Sequence, residues 1–408
     1  MSALNQIFVR VHFRYDRDRY AEDLEQFAAW LLANEYPNKS ARGHLYRVQQ
    51  VLHALGTEPG APLKAHELRW VFRRKERRQP RYRHTHTTYS KYLRSVHRLE
   101  EPRPPEPSET ATFVDEFCAR LARRRGLATS TIYGYRLWIS DFLRRSLPAN
   151  AAVADLKQGA LPLYIQSRAR DLTWTTLQNA IKCVQAFLRD CHERGLIPER
   201  IDQIDLPRRF RAGLPPRAMP WPYVEQLLAS VDRTRHVGIR DHAILHLMAH
   251  YGLRTGEITD LRLDSIDWRT RTLTVWRAKT RSTTVLPLYE RTIAVLKRYL
   301  ETGRPRSELP YLFLTATAPR GPLTKYSTSF LFLSRLRRSG LPNSGYTAYS
   351  LRHAFAMRLF QSGVGMKAIG DLMGHSSLVS TSVYLRLQAD QLREVALPVP
   401  QPHGEDVA

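Results

Sequence analysis

Four prolines fall within the six positions 102–107, in Glu101-Pro102-Arg103-Pro104-Pro105-Glu106-Pro107-Ser108, and no regular element can run through them. Each proline removes a backbone N–H and fixes φ, so neither a helix nor a central strand continues across the segment. The chain on either side must bury its own core. A second break runs from Pro207 to Pro222, with Arg208, Arg209, Arg211 and Arg217 set between prolines, as suits a segment crossing a phosphate backbone. Three blocks are expected: 1–100, 109–205 and 218–400. That division agrees with a length of 408 residues, more than one ordinary core serves.

The charge balance narrows the partner. Lys and Arg number 63 against 38 Asp and Glu, a formal net charge of +25 at pH 7, so the folded surface attracts polyanions. Solubility alone rarely calls for so much charge of one sign, and nucleic acid is the expected partner. A membrane also attracts cations, but no stretch approaches the roughly 20 apolar residues of a spanning helix. Met1-Ser2-Ala3-Leu4-Asn5-Gln6 lacks the basic and then apolar regions of a secretory signal. A cytoplasmic protein without membrane contact is expected. Cys118, Cys183 and Cys191 are too few and too irregularly spaced for a disulfide framework or a closed zinc site. They read as reduced core thiols, and neither metal nor cofactor is expected.

Blocks 1–100 and 109–205 read as amphipathic helices, with Phe27, Leu31 and Leu32 in one and Phe113, Phe117 and Leu121 in the other at helical spacing. The two are also similar to each other. At an offset of 88 residues Thr87, Thr88, Leu93, Arg94 and Val96 fall on Thr175, Thr176, Ile181, Lys182 and Val184, and with one residue of slippage Tyr46 falls on Tyr135. Duplication and chance similarity between two small helical domains both fit. Each block carries a basic run: Arg73, Arg74, Lys75, Arg77 and Arg78 in the first, Arg120, Arg123, Arg124 and Arg125 in the second. One such run is an ordinary solvated face. Two in so basic a chain favour phosphate contact, so Arg73, Arg74, Lys75, Arg123, Arg124 and Arg125, with Arg208, Arg209 and Arg211 of the second break, are the expected DNA-binding residues.

The third block changes character. Helical stretches around Tyr223 to Val231 and Asp241 to Tyr251 are followed by a β-like segment, Thr272-Leu273-Thr274-Val275-Trp276, and another, Thr284-Val285-Leu286-Pro287-Leu288. These form a hairpin with Lys279 near its turn. Helical spacing returns with Ile293, Leu296 and Leu300, then Phe330, Leu333 and Leu336, then Arg352 to Gln361 and Met366 to Met373. The whole is mainly α with one small antiparallel β-sheet.

Breaking a phosphodiester without a metal requires a nucleophile, positive charge on the non-bridging oxygens and a proton donor for the leaving 5′ oxygen. The chain shows no P-loop and no zinc spacing. It does present, in order, Tyr251-Gly252-Leu253-Arg254-Thr255-Gly256-Glu257-Ile258, then Arg277-Ala278-Lys279-Thr280, Tyr349-Ser350-Leu351-Arg352-His353, Gly374-His375-Ser376, and Tyr384 nine residues beyond His375. Singly, such residues are ordinary: a surface arginine, a satisfied histidine, a core tyrosine. Together, from Pro220 to about Gln391, they resemble the catalytic domain of the tyrosine recombinases, the family of phage integrases, Xer resolvases and Cre.

The resemblance implies roles. Arg254 and Arg352 are phosphate clamps, Glu257 is the acid that buttresses them, and Lys279 is the proton donor to the leaving oxygen. His375 belongs to the family's L-G-H-S-S box, here Leu372-Met373-Gly374-His375-Ser376-Ser377, and Tyr384 is the nucleophile. Position 349 departs: the family's H-x-L-R-H begins here with Tyr349, followed by Arg352 and His353. Tyr349 either donates a hydrogen bond to the phosphate or packs, since a phenol of pKa ~10 is a poor proton shuttle. The resemblance further implies that block 109–205 is a SAM-like core-binding domain and 218–400 the catalytic domain, with 1–100 an extra copy or an arm-type domain. It also implies a homotetramer on two DNA duplexes from a free monomer or weak oligomer, with accessory recombinases or DNA-bending proteins as further partners. Two other readings share the scaffold: an accessory DNA-binding protein that does not cut, and a relaxing topoisomerase with the same chemistry.

Overall fold

The computed structural model describes residues 2–8, 15, 17–77, 79–102, 108–148, 151–204, 217–342 and 345–374. Block 1–100 forms α1 (Ala3–Ile7), α2 (Ala21–Ala33), α3 (Asn38–Leu55), β1 (Leu63–Lys64), α4 (Ala65–Glu76), α5 (Arg81–Ser95) and β2 (Leu99–Glu100). The next block forms α6 (Glu109–Arg125), α7 (Thr129–Ser146), α8 (Ala160–Ala169) and α9 (Trp174–Glu193). Then come α10 (Trp221–Ala229), α11 (His236–Tyr251), α12 (Thr255–Asp260), β3 (Ile266–Asp267), β4 (Thr272–Arg277), β5 (Ser282–Pro287), α13 (Glu290–Arg298), α14 (Lys325–Arg338), α15 (Ala348–Gln361) and α16 (Met366–Met373). The mainly α class with a small antiparallel sheet is what the sequence implied, and β1 and β2 add a short parallel pair.

The chain divides into two compact units, residues 101–211 and residues 1–100 together with 212–408. In the unit 101–211 the helices enclose Phe117, Ile139, Phe142, Leu161, Ile181, Val184 and Phe187. Ser108 starts α6 by accepting a hydrogen bond from Ala111 N at 3.2 Å, and Thr173 starts α9 by accepting one from Thr176 N at 3.4 Å, the usual way orphan helix donors are satisfied. Cys118 and Cys191 are buried here and all three cysteines are free.

The other unit holds two buried clusters. One gathers Phe27, Leu31, Leu45, Val48, Phe72, Tyr89, Tyr92 and Leu93 from the first block. The second surrounds α11, whose Ala243, Ile244, Leu245, Leu247, Met248 and Ala249 are covered on every side. Ala318 packs against the first cluster, and Arg320 pairs with Glu35 at 2.8 Å, so both clusters belong to one body. Of the positions at helical spacing in α14, Leu336 is buried, while Phe330 and Leu333 are exposed, at 70% and 37%, and Leu331 and Phe332 face inward instead.

The faint internal similarity has a counterpart in burial. At the offset of 88, Tyr89, Tyr92 and Leu93 of α5 are buried, as are Leu177, Ala180 and Ile181 of α9. Thr87, Lys91 and Arg94 are exposed, and so are Thr175, Asn179 and Lys182. Val96 departs, lying just past the end of α5, whereas Val184 is inside the longer α9. Tyr46 is exposed while Tyr135 packs against its core. In α3 and α7 an offset of 91 matches burial better, aligning Val48, Val51 and Leu52 with Ile139, Phe142 and Leu143.

Strands β3, β4 and β5 form the antiparallel sheet, with Thr272 opposite Pro287 and Arg277 opposite Ser282. Lys279 lies in the connecting turn, as expected. Alternation along β4 sends Leu273 and Val275 inward and Thr274 and Trp276 outward. The same period of two carries Arg277 to the inner face.

Candidate active site

Helix α11 ends at Gly252, whose φ of +61° is left-handed and where a Cβ would lie 2.5 Å from the Phe355 ring. Both features call for glycine. The turn delivers Arg254 to the N-cap position of α12. Glu257, three residues on, reaches back: its carboxylate accepts from Arg254 N at 2.8 Å and from Arg254 Nη1 at 2.7 Å. That is one half of a capping box, with an ion pair added.

Arg352 enters from α15 and is 3% exposed. Its Nη1 donates to Gly252 O at 2.5 Å and stands 3.9 Å from Glu257 Oε2, and its Nη2 donates to Met373 O. One guanidinium therefore joins the ends of α11 and α16 to the carboxylate that holds Arg254. Glu257 is 6% exposed, so the two arginines share a buried counter-charge, an arrangement whose strength depends on keeping every member.

Arg254, Glu257, Lys279 and Tyr349 line one pocket of about 170 Å³, together with Trp276, Arg277 and Lys325. Tyr349 is half exposed, at 51%, and forms wall rather than core. His353 does not line this pocket. Burial, and then the Arg352 charge, push its imidazole down to about 4, so it is neutral at pH 7. His375 and Tyr384 lie outside the described residues. Gly374, left-handed with φ +60°, ends α16 immediately before His375.

Two cations of the pocket were not singled out in the sequence. Arg277 is 2% exposed, and its Nη2 donates to Leu372 O while Nε and Nη1 have no hydrogen-bond partner among the described residues. Burial lowers its pKa below the usual guanidinium value, with Glu257 opposing and Arg254 adding to the shift; a guanidinium nonetheless stays charged. The alternation of β4 was the signal that would have found it. Lys325 opens α14, its side chain against Gly256, and no local pattern marks it.

Of the expected DNA-binding residues, Arg73, Arg74 and Lys75 fall in the last turn of α4 and Arg123, Arg124 and Arg125 in the last turn of α6. Arg74 lies 5.6 Å over the ring of exposed Trp70. Arg208, Arg209 and Arg211 lie outside the described residues. Along α5, Arg83, Thr87, Lys91 and Arg94 form an exposed stripe on a helix without one acidic residue. Elsewhere, His242, His246 and His250 stack along α11, burial chiefly holding them at about 4, 3 and 4. Among the described residues no group of three or more His, Cys, Asp or Glu side chains could hold a metal ion, and no helix is long and apolar enough to cross a membrane.

Residues 222–391 match the phage integrase family. An integrase/recombinase of Sinorhizobium fredii, y4rF, is 33% identical over 308 residues, 72% of this chain and 72% of its own length. The tyrosine recombinase XerD of Xanthomonas campestris pv. campestris is 28% identical over 300 residues, 71% of this chain and 92% of its own. Among solved structures, the Tn1549 transposon integrase in complex with transposon right end DNA superimposes with a TM-score of 0.55 at 17% identity, over 69% of this chain and 99% of that one. The last is a likeness of fold. With arginines, lysine and buttressing glutamate converging on one pocket inside the matched segment, the chain belongs to the phage integrase family of tyrosine-type site-specific DNA recombinases.

Proposed function

We propose that this protein cuts and rejoins duplex DNA through a 3′-phosphotyrosyl intermediate on Tyr384, in the service of a mobile element such as a phage, transposon or plasmid. The convergence of Arg254, Lys279, Arg277 and Tyr349 on one pocket, with Glu257 bracing Arg254 and Arg352, is the observation that carries this reading. Tyr384 Oη attacks the scissile phosphorus, the P–O5′ bond breaks, and Lys279 protonates the departing 5′ oxygen. Arg254, Arg352 and His375 hold the charge of the pentacoordinate phosphate. The covalent link conserves the bond energy, so the 5′ hydroxyl of a partner strand reverses the step without a cofactor. Two such rounds on paired duplexes call for four protomers, assembled on DNA from a monomer or weak oligomer, with accessory recombinases or DNA-bending proteins where the site demands them.

Tyr349, half exposed on the pocket wall, is assigned a hydrogen bond to the phosphate rather than packing. The shared burial phase of α5 and α9 supports reading 1–100 as a second copy of the core-binding domain at 109–205, with 218–400 as catalytic domain. Its α5 stripe and the basic end of α4 are suited to phosphate contact. The work is placed in the cytoplasm, where the DNA is.

A nicked suicide substrate tests the central claim, because the freed end diffuses away and the adduct accumulates. Wild type is expected to give a covalent protein–DNA band and Tyr384→Phe none, with site binding unchanged. Binding without any adduct from wild type would leave a non-cutting accessory protein. Adduct without strand exchange between two DNA molecules would leave a relaxing topoisomerase.

A further inference from the structure

We infer that Arg277 is a positioning residue of the cleavage site: paired with Arg352, it grips the C-terminal turn of α16 and so sets where the chain leaves toward His375. The inference rests on the cleavage chemistry proposed above. The last carbonyls of a helix carry partial negative charge and lack intrahelical partners. In α16 two of them, Leu372 O and Met373 O, accept from Arg277 Nη2 and Arg352 Nη2. The two guanidiniums come from distant places, the end of β4 and the interior of α15.

Gly374 completes the device. A Cβ there would overlap Arg277 Nη1 and Cδ, so the guanidinium lies directly against the backbone from which position 375 continues. A side chain at 374 would displace either the cation or the turn. Nothing in packing alone explains a charged residue here, because the inward positions before it on β4 are Leu273 and Val275. Buried polar atoms almost always find partners, yet among the described residues Nε and Nη1 of Arg277 have none. Arg277 adds its charge to those of Arg254, Lys279 and Lys325 around a pocket that also holds Glu257 and Asp260, and so raises its potential. A structural clamp alone would be cheaper as a neutral donor. The charge points to an anion in the same pocket, the phosphate that Arg254 faces.

Single-turnover cleavage of the suicide substrate by the full chain tests this, with wild type, Arg277→Lys and Arg277→Met compared at saturating protein. Arg277→Met is expected to slow adduct formation by about 10²-fold, the scale of a misplaced reacting group, while site affinity and melting temperature stay close to wild type. Arg277→Lys, which keeps a charge and one donor for Leu372 O, is expected to recover part of the rate. A substrate with sulfur in place of the bridging 5′ oxygen needs no proton donor. It should rescue Lys279→Met but leave Arg277→Met slow.

Rescue of Arg277→Met by the sulfur substrate would make Arg277 a leaving-group residue and overturn the inference. So would a wild-type rate, or a loss of rate matched by loss of binding and of melting temperature. Failure of wild type itself to form adduct would overturn the cleavage reading and this inference with it.

Discussion

The cations of the pocket and those of the helical blocks do opposite things with the same side chains. At the site Arg254, Arg277 and Arg352 are held by named partners: the Glu257 carboxylate and the carbonyls of residues 252, 372 and 373. At the ends of α4 and α6 and along one stripe of α5 the arginines stand exposed. Low dielectric makes each buried charge strong and position-dependent, whereas solvent and salt make each surface charge weak and nearly interchangeable. A loss inside should appear as a large change in rate or folding, and a loss outside as a small, additive, salt-dependent change in affinity.

The largest effect is expected from Glu257→Ala. It strands the buried guanidinium of Arg352 and the partly buried one of Arg254, and breaking a buried pair costs about 3–5 kcal/mol, so both adduct formation and denaturant stability should fall together. Wild-type stability in that variant would mean that the arginines do not depend on their shared carboxylate. Next comes Tyr349→Phe, which removes one donor from the wall. Cleavage should slow by roughly 10²–10³-fold, as for one lost transition-state hydrogen bond, with Tyr349→His retaining activity. A wild-type rate from Tyr349→Phe would reduce Tyr349 to packing.

A smaller effect is expected on the surface. Replacing Arg83, Lys91 and Arg94 together by alanine should leave the cleavage rate at saturation unchanged while weakening binding. The log–log salt slope should become shallower by about 0.9 for each lost phosphate contact. An unchanged slope across a salt titration would take α5 off the DNA.

The smallest belongs to the buried His242 and His246 and the partly buried His250, none of which lines the pocket. Their folded pKa values lie below the unfolded ~6.5, so the unfolded chain binds more protons as the medium is acidified. Their contribution is complete above pH ~6.5 and is lost as pH falls toward 4, by up to ~1.4 kcal/mol per pH unit for each fully shifted group. Arg291 and His250 press the same way on His246, and Arg358 on His250. Denaturation midpoints of His246→Gln between pH 7 and 4.5 should fall less steeply than those of wild type; parallel curves would dismiss the stack as an acid-sensitive element.

Much of this architecture is legible in the sequence, because hydrophobic period and proline punctuation are local properties. The β4–β5 hairpin, the turn position of Lys279, the free cysteines and the order Arg254, Lys279, Arg352 followed from residues alone. What escaped depends on neighbours far along the chain. Phe330 and Leu333 have helical spacing, but which side of α14 turns inward is decided by what packs on it. Arg277 follows the strand alternation faithfully, and only its charge hid it, since a guanidinium is not expected where Leu273 and Val275 point. Tyr46 and Tyr135 are alike in sequence and unlike in burial, so register within the two helical blocks needed the cores themselves.

The shared carboxylate has one more consequence, for how the molecule behaves when empty. Glu257 pairs with both Arg254 and Arg352, and around the cavity Arg254, Arg277, Lys279 and Lys325 outnumber Glu257 and Asp260. Without DNA the pocket repels itself; with a phosphate in place the like charges gain a common neighbour. The substrate is thus a missing piece of the protein's own electrostatic structure, and binding it should tighten the fold as any ligand of the native state does. Even a simple polyanion that is never cut, a sulfated polysaccharide for example, should raise the melting temperature.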